Sequence, residues 1–148
     1  MMYVMKKTRT DFPFLWHTQT RWADNDMYGH VNNVVYYSFF DSAVNQLLIQ
    51  HCAFHPQTAA QIGLVVQSSC QFLQEMSYPE TIGIAVAIQK IGTSSLHYNL
   101  AIFKEHQEEP IALGQFVHVF VDRITRKSTP ISNEMRRALN PFLVTELL

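Results

Sequence analysis

Hydrophobic and polar positions along this chain sort into one long helical stretch followed by a series of strands. Between Asn33 and His51, Val34, Tyr37, Phe40, Val44, Leu47 and Leu48 recur at three- and four-residue spacing. Ser38, Asp41, Asn45 and Ile49 form a narrower opposite stripe. The pattern predicts a helix buried on nearly every side. Its aromatic residues Tyr36, Tyr37, Phe39 and Phe40 are mediocre helix formers, so burial rather than propensity must hold it. Upstream, residues 14–23 read as a first strand. Pro56 closes the helical region and a short turn follows over 57–61. After Gly63 the texture changes to strands over 64–76, 81–91, 94–104 and 111–121.

In the last of these strands Val117, Val119 and Val121 face one way and Phe116, His118 and Phe120 the other. A strand apolar on both sides is central in its sheet or lies at a subunit contact. The connections at 77–80, 92–93 and 104–110 are short enough for antiparallel neighbours, with Gly92-Thr93 a tight hairpin turn. Ser132 caps a short C-terminal helix that runs to about Asn140, ahead of Pro141. The order is that of an α+β protein. Residues 1–148 read as one domain with its core over about 14–139.

Composition sharpens this. The chain has 148 residues, of which 47% are apolar and 16% charged, so it is rich in core for its size. That balance points to apolar surface covered by another subunit. A net charge of −1 argues against general nucleic-acid binding. No run reaches the roughly 18 apolar residues of a membrane span, and the start, with Lys6, Lys7 and Arg9, is not that of a signal peptide. Cys52 and Cys70 have no ligand or CxxC spacing and read as free thiols, Cys70 as a small core residue. A cytoplasmic location is expected. The histidines show no HExxH or Cys/His pattern, so neither a metal nor a cofactor is expected.

Candidate chemistry concentrates at Asp24 and Asp26, just before a Gly29-His30 turn and the long helix. This order can hold a carboxylate beside the positive end of a helix dipole. A second concentration is basic: Arg123, Arg126, Lys127, Arg136 and Arg137 are five of the eleven Lys and Arg residues, a cluster suited to phosphate. No GxSxG nucleophile motif is present.

Three stretches carry a family resemblance. Arg21-Trp22-Ala23-Asp24-Asn25-Asp26-Met27-Tyr28-Gly29-His30-Val31-Asn32-Asn33 with Tyr36-Tyr37, then Ile91-Gly92-Thr93-Ser94-Ser95, then residues Val121 to Ile131, resemble hotdog-fold acyl thioesterases of the 4-hydroxybenzoyl-CoA thioesterase-like family. The resemblance implies an antiparallel sheet of five to six strands curled round the long helix, with a short C-terminal helix. It implies hydrolysis of an acyl-CoA, or of an acyl-ACP, to the free acid. A non-catalytic acyl-carrier binding protein on the same fold is the contrasting reading.

On this resemblance Asp26 is the catalytic carboxylate, acting on water as general base or attacking the carbonyl to form a mixed anhydride. Backbone N–H groups near Asn32 and Asn33 polarise the carbonyl, the contact falling at Asn33. Asp24 reads as a capping or salt-bridge partner of Arg21. His30 takes an orienting role, although the asparagine that accompanies it in acyl-ACP relatives is here Tyr28. A Gly-Asp common in relatives after the second strand is replaced by Tyr78-Pro79-Glu80. Ser94 and Ser95 reach a neighbouring subunit's site, and Arg123, Arg126 and Lys127 grip the phosphates of coenzyme A, which enters as part of the substrate. The resemblance implies a homodimer at minimum, and often a tetramer of two dimers.

Overall fold

The computed structural model describes residues 7–145. Strand β1 (Phe14–Gln19) leads to a 3-10 turn at Trp22–Asp24 and then to helix α1 (Asn33–His51). Strands β2 (Gln61–Phe72), β3 (Thr81–Ile91), β4 (Ser95–Lys104) and β5 (Ala112–Asp122) follow, and helix α2 (Asn133–Leu139) runs into a 3-10 turn. The five strands form one antiparallel sheet in the order β1-β3-β4-β5-β2. The sheet and its central helix make the hotdog arrangement.

Helix α1 begins where Asn32, in extended conformation, accepts the Val34 N–H on its side chain. Phe40, Ala43, Val44, Leu47 and Leu48 are buried in it, against the inward residues of the sheet. Along β5 these are Phe116, His118 and Phe120; along β4 they are Leu96, Tyr98, Leu100 and Ile102. Gly114 lies so close under Phe40 that an added Cβ would stand 2.6 Å from the ring. A side chain there would push the helix off the sheet.

Several details differ from the sequence expectation. Val34 is expected on the buried face, yet it is 73% exposed; Tyr36, edge-on to Phe72 at 4.9 Å, and Phe39 are buried in its place. The first strand ends at Gln19 rather than at 23, since Arg21 and Asp24 close on each other and turn the chain. Strand β2 occupies 61–72 rather than 64–76. It stops there because Leu73 and Gln74 both donate to the Ile111 carbonyl, at 2.9 and 3.1 Å, which breaks the ladder. Cys70 points inward but is only partly buried.

Strand β2 is an edge of the sheet and carries a bulge between Val65 and Gln67. Leu64, Val65, Val66 and Phe72 on it are exposed. Such an edge is open to a further strand.

Candidate active site

The acid turn is built by backbone. The Asp26 N–H donates to the His30 carbonyl at 3.0 Å, and the Gly29 N–H returns to the Asp26 carbonyl at 3.2 Å. Gly29 has φ +88° with open space around it, so glycine is needed for the conformation alone. One oxygen of the Asp26 carboxylate accepts the Tyr28 N–H at 2.8 Å. Asp26 is thereby held, partly buried, ahead of the helix start.

Asp24 does something different. Its buried carboxylate accepts from the Arg21 backbone N–H at 2.7 Å and from the Arg21 guanidinium at 2.8 and 3.1 Å. Its carbonyl accepts the Asn32 N–H at 2.9 Å, which locks the turn to the helix. Asp24 is a structural clasp, and Asp26 is left as the acid of the turn.

The helix start then has a specific accounting. Val34 donates to the Asn32 side chain at 3.0 Å and Val35 to the Asn32 carbonyl at 2.9 Å. With the Asn32 N–H held by Asp24, the Asn33 N–H remains without a partner among the described residues. It sits at the positive end of a 19-residue helix. Such a donor fits a carbonyl oxygen that gains charge. Of the two amides expected there, Asn33 is free and Asn32 is occupied.

Three more groups close round the turn. The His30 Nε2 lies 3.7 Å from a Glu75 carboxylate oxygen, and the Tyr28 ring stacks on the imidazole at 6.4 Å. Glu75 reaches His30 because the Val31 N–H donates to the Met76 carbonyl at 2.8 Å, tying the end of β2 to the acid turn. A lone glutamate after a strand gave no sequence signal for this role. Tyr78 donates its N–H to the Asn25 side chain at 3.0 Å, and Glu80 pairs with Thr20. The substituted Tyr78-Pro79-Glu80 segment thus supports the turn through its backbone.

Asp26, His30, Asn32 and Asn33 come together at this end. Ser94, Ser95, Arg123, Arg126 and Lys127 do not. Phe72 pairs with Ala112 and Gln61 with Asp122, so the basic turn lies at the far end of β2. A strand of 12 residues separates the two groups by on the order of 35 Å. At that far end Ser128 donates to the Ser94 hydroxyl at 3.1 Å, and the Ser94 carbonyl accepts the Phe120 N–H at 2.7 Å. Ser95 closes the same hairpin, its carbonyl accepting the Gly92 N–H at 2.8 Å.

The basic residues divide by use. Arg123 donates to the carbonyls of Ala59, at 2.6 Å, and of Pro56, which fastens the loop after α1. Arg136 donates to the Gly92 and Thr93 carbonyls at 2.6 and 2.9 Å, anchoring α2 on the hairpin. Arg126 and Lys127 are exposed. Their turn is set by Asp122, which accepts the Thr125 and Ile124 N–H groups at 2.8 and 2.9 Å. Those two bonds hold the Asp122 carboxyl below its ordinary range. Among the described residues no three of His, Cys, Asp and Glu gather as metal ligands, and no helix is long and apolar enough to cross a membrane.

Residues 20–139 match the thioesterase-like superfamily, and the chain belongs to it. The protein is therefore a thioester hydrolase. The structure of the PA5185 protein from Pseudomonas aeruginosa strain PAO1 is similar at 42% identity, with a TM-score of 0.91, covering 95% of this chain and 98% of that one. An uncharacterized Bacillus subtilis (strain 168) protein, YsmA, is 26% identical over 133 residues, 88% of each chain. Slr0204, a 1,4-dihydroxy-2-naphthoyl-CoA thioesterase from Synechocystis, shares the fold at 18% identity and a TM-score of 0.77, over 85% of this chain and 94% of that one.

Proposed function

We propose that this protein is an acyl-CoA thioesterase that uses Asp26 as its catalytic carboxylate and the Asn33 N–H as its oxyanion donor. The observation that carries the reading is the Asn33 amide at the start of α1, unpartnered among the described residues, next to a turn whose Asp26 keeps one carboxylate oxygen uncommitted. The thioester carbonyl oxygen accepts from Asn33. Water adds to the carbonyl carbon while Asp26 takes its proton. The tetrahedral intermediate then expels the thiolate of coenzyme A, which receives a proton, and the free acid leaves. If Asp26 attacks directly, the thiolate leaves first and water then opens the mixed anhydride. Single turnover in ¹⁸O-water separates the two, since only the second route puts a carboxylate oxygen of Asp26 into the first-formed acid.

The site is completed by a second chain. Arg126 and Lys127 are too far from the Asp26 of their own chain to serve one substrate with it, and β2 has an unpaired edge. Antiparallel pairing of two β2 edges about a two-fold axis sets the Gln61 end of one strand against the Phe72 end of its partner. The basic turn of one subunit then faces the acid turn of the other. Exposed Arg126 and Lys127 suit the phosphates of coenzyme A, and equally the acidic surface of an acyl-carrier protein. Slr0204, with the same fold, is named for a CoA thioester substrate. Both cysteines are free thiols, in keeping with a cytoplasmic enzyme.

The test is thiol release from short, long and aromatic acyl-CoAs and from acyl-ACP, by wild type and Asp26→Asn. Turnover lost in the mutant supports the reading and identifies the carrier. Ligand binding without hydrolysis by wild type would leave a non-catalytic carrier-binding role in its place.

A further inference from the structure

We infer that Ile124, at the tip of the basic turn, is a binding residue that packs on the paired methyl groups of the substrate's phosphopantetheine arm. The contact depends on the reading above, in which Arg126 and Lys127 hold phosphate beside the acid turn of the other subunit.

Every backbone N–H from Arg123 to Lys127 is committed. Arg123 donates to the Ala60 carbonyl at 2.9 Å, and Ile124 and Thr125 donate to the Asp122 carboxylate at 2.9 and 2.8 Å. The Arg126 N–H returns to the Asp122 carbonyl at 2.9 Å, and the Lys127 N–H reaches the Thr125 hydroxyl at 3.3 Å. The Asp122 N–H closes the turn on the Lys127 carbonyl at 2.9 Å. These bonds hold Arg126 in the left-handed region, at φ 62°. The turn is rigid, so a ligand that meets it loses little affinity to ordering.

On that frame Ile124 is 89% exposed. A single exposed apolar side chain is ordinary. Three features set this one apart. It is the only apolar residue from Asp122 through Thr129. A β-branched side chain brings nothing to a tight turn, where Gly, Asn, Asp and Ser supply the useful conformations and hydrogen bonds. It also stands just ahead of the two exposed cations, Arg126 and Lys127.

The substrate carries the same order of groups. In coenzyme A, and equally in the prosthetic arm of an acyl-carrier protein, phosphate is followed after one methylene by a carbon bearing two methyl groups. The Cα atoms of Ile124 and Arg126, two residues apart, are separated by at most about 7 Å. Phosphate on Arg126 and Lys127 therefore leaves that carbon within reach of the Ile124 side chain. Packing there takes the methyl groups and the isoleucine out of water together. The cations fix the charged end of the arm, and Ile124 sets the direction in which the arm leaves toward the thioester.

Steady-state thiol release by wild type, Ile124→Ser and Ile124→Val tests this on four thioesters of one acyl group. The carriers are coenzyme A, acyl-carrier protein, pantetheine and N-acetylcysteamine, the last of which lacks the methyl-bearing carbon. Ile124→Ser should raise KM roughly 10- to 30-fold for each of the first three that wild type hydrolyses, but not for the fourth. Ile124→Val keeps two methyl groups and should stay within about threefold of wild type. An equal rise on the N-acetylcysteamine thioester, or none on the pantetheine thioester, overturns the inference while the thioesterase reading stands. An Ile124→Ser protein that sediments as a smaller species than wild type also overturns it, since Ile124 then packs on protein. A wild type that hydrolyses none of the four overturns both.

Discussion

The Tyr98 hydroxyl and the His118 imidazole share a buried hydrogen bond of 3.0 Å between Oη and Nδ1, on the helix side of the sheet. The ring lies directly on Gly63 of the edge strand, where an added Cβ would meet Nδ1 at 2.9 Å. Burial pushes the His118 pKa down from 6.5 to about 4 and the Tyr98 pKa well up, so both groups are neutral in the native protein. Between pH 6.5 and 4 the unfolded chain binds a proton at His118 that the folded chain refuses. Stability therefore falls as pH falls through that window, and the slope ends once the native state is also protonated. A gap of this size is worth about 3 kcal/mol. Urea denaturation at pH 7 and pH 4.5 should show a clearly smaller loss for His118→Gln, which keeps a polar partner for Tyr98 but does not titrate. An equal loss in both proteins would remove His118 as the cause.

Asp26→Asn keeps the volume and the oxygen that accepts the Tyr28 N–H. The acid turn should survive, with an unfolding midpoint close to that of wild type. Thiol release should fall by about 10² to 10⁴, the usual worth of a positioned acid or base. A variant that retains wild-type kcat would exclude Asp26 from the chemistry.

His30 and Glu75 make a pair at 3.7 Å with Glu75 largely in solvent, an arrangement worth at most about 1 kcal/mol to stability. Its effect belongs instead to the geometry of the acid turn, whose Asp26 N–H donates to the His30 carbonyl. His30→Gln and Glu75→Gln should each lower kcat a few-fold, and the double variant should lose no more than the worse single one. Full additivity in this cycle would show that the two side chains act separately.

Arg126 and Lys127 on one hand, and Arg123 on the other, should respond differently to truncation. Arg126→Ala or Lys127→Ala should raise KM for an acyl-CoA roughly tenfold with kcat kept, and should leave KM unchanged for an acyl-pantetheine that lacks the nucleotide. Arg123→Ala removes donors to Ala59 and Pro56 and should cost about 1–3 kcal/mol of stability. A nucleotide-independent KM effect at Arg126 and Lys127 would dissociate the basic turn from coenzyme A.

The helix and the acid turn before it were readable from sequence because their causes are local. Asn32 caps, the apolar spacing continues without a break to His51, and Gly29 permits the turn. Asp24 was also readable as Arg21's partner, the two being three residues apart. What could not be read depends on distant contacts. The end of β2 is decided by the Ile111 carbonyl, and Arg123 is taken up by a loop more than sixty residues away. Glu75 reaches His30 only through the Val31–Met76 bond. The separation of Ser94 and the basic turn from Asp26 follows from strand register, which alternating residues alone do not set.

The sharpest test of the site uses proline as a deletion of one hydrogen. Asn33 is the first residue of α1, and Asn32 before it is extended, at φ −60° and ψ 137°. Proline is favoured at that first helical position, and an extended preceding residue accommodates its ring. The Asn33 N–H has no partner among the described residues, so the fold loses no bond when it is removed. Asn33→Pro should therefore fold with near wild-type stability, whereas Asn33→Ala, which keeps the amide, should retain activity. If that N–H receives the negative charge on the thioester oxygen, Asn33→Pro should lose about 10² to 10³ in kcat, the worth of one oxyanion donor. A folded, fully active Asn33→Pro enzyme would move the oxyanion contact to another group.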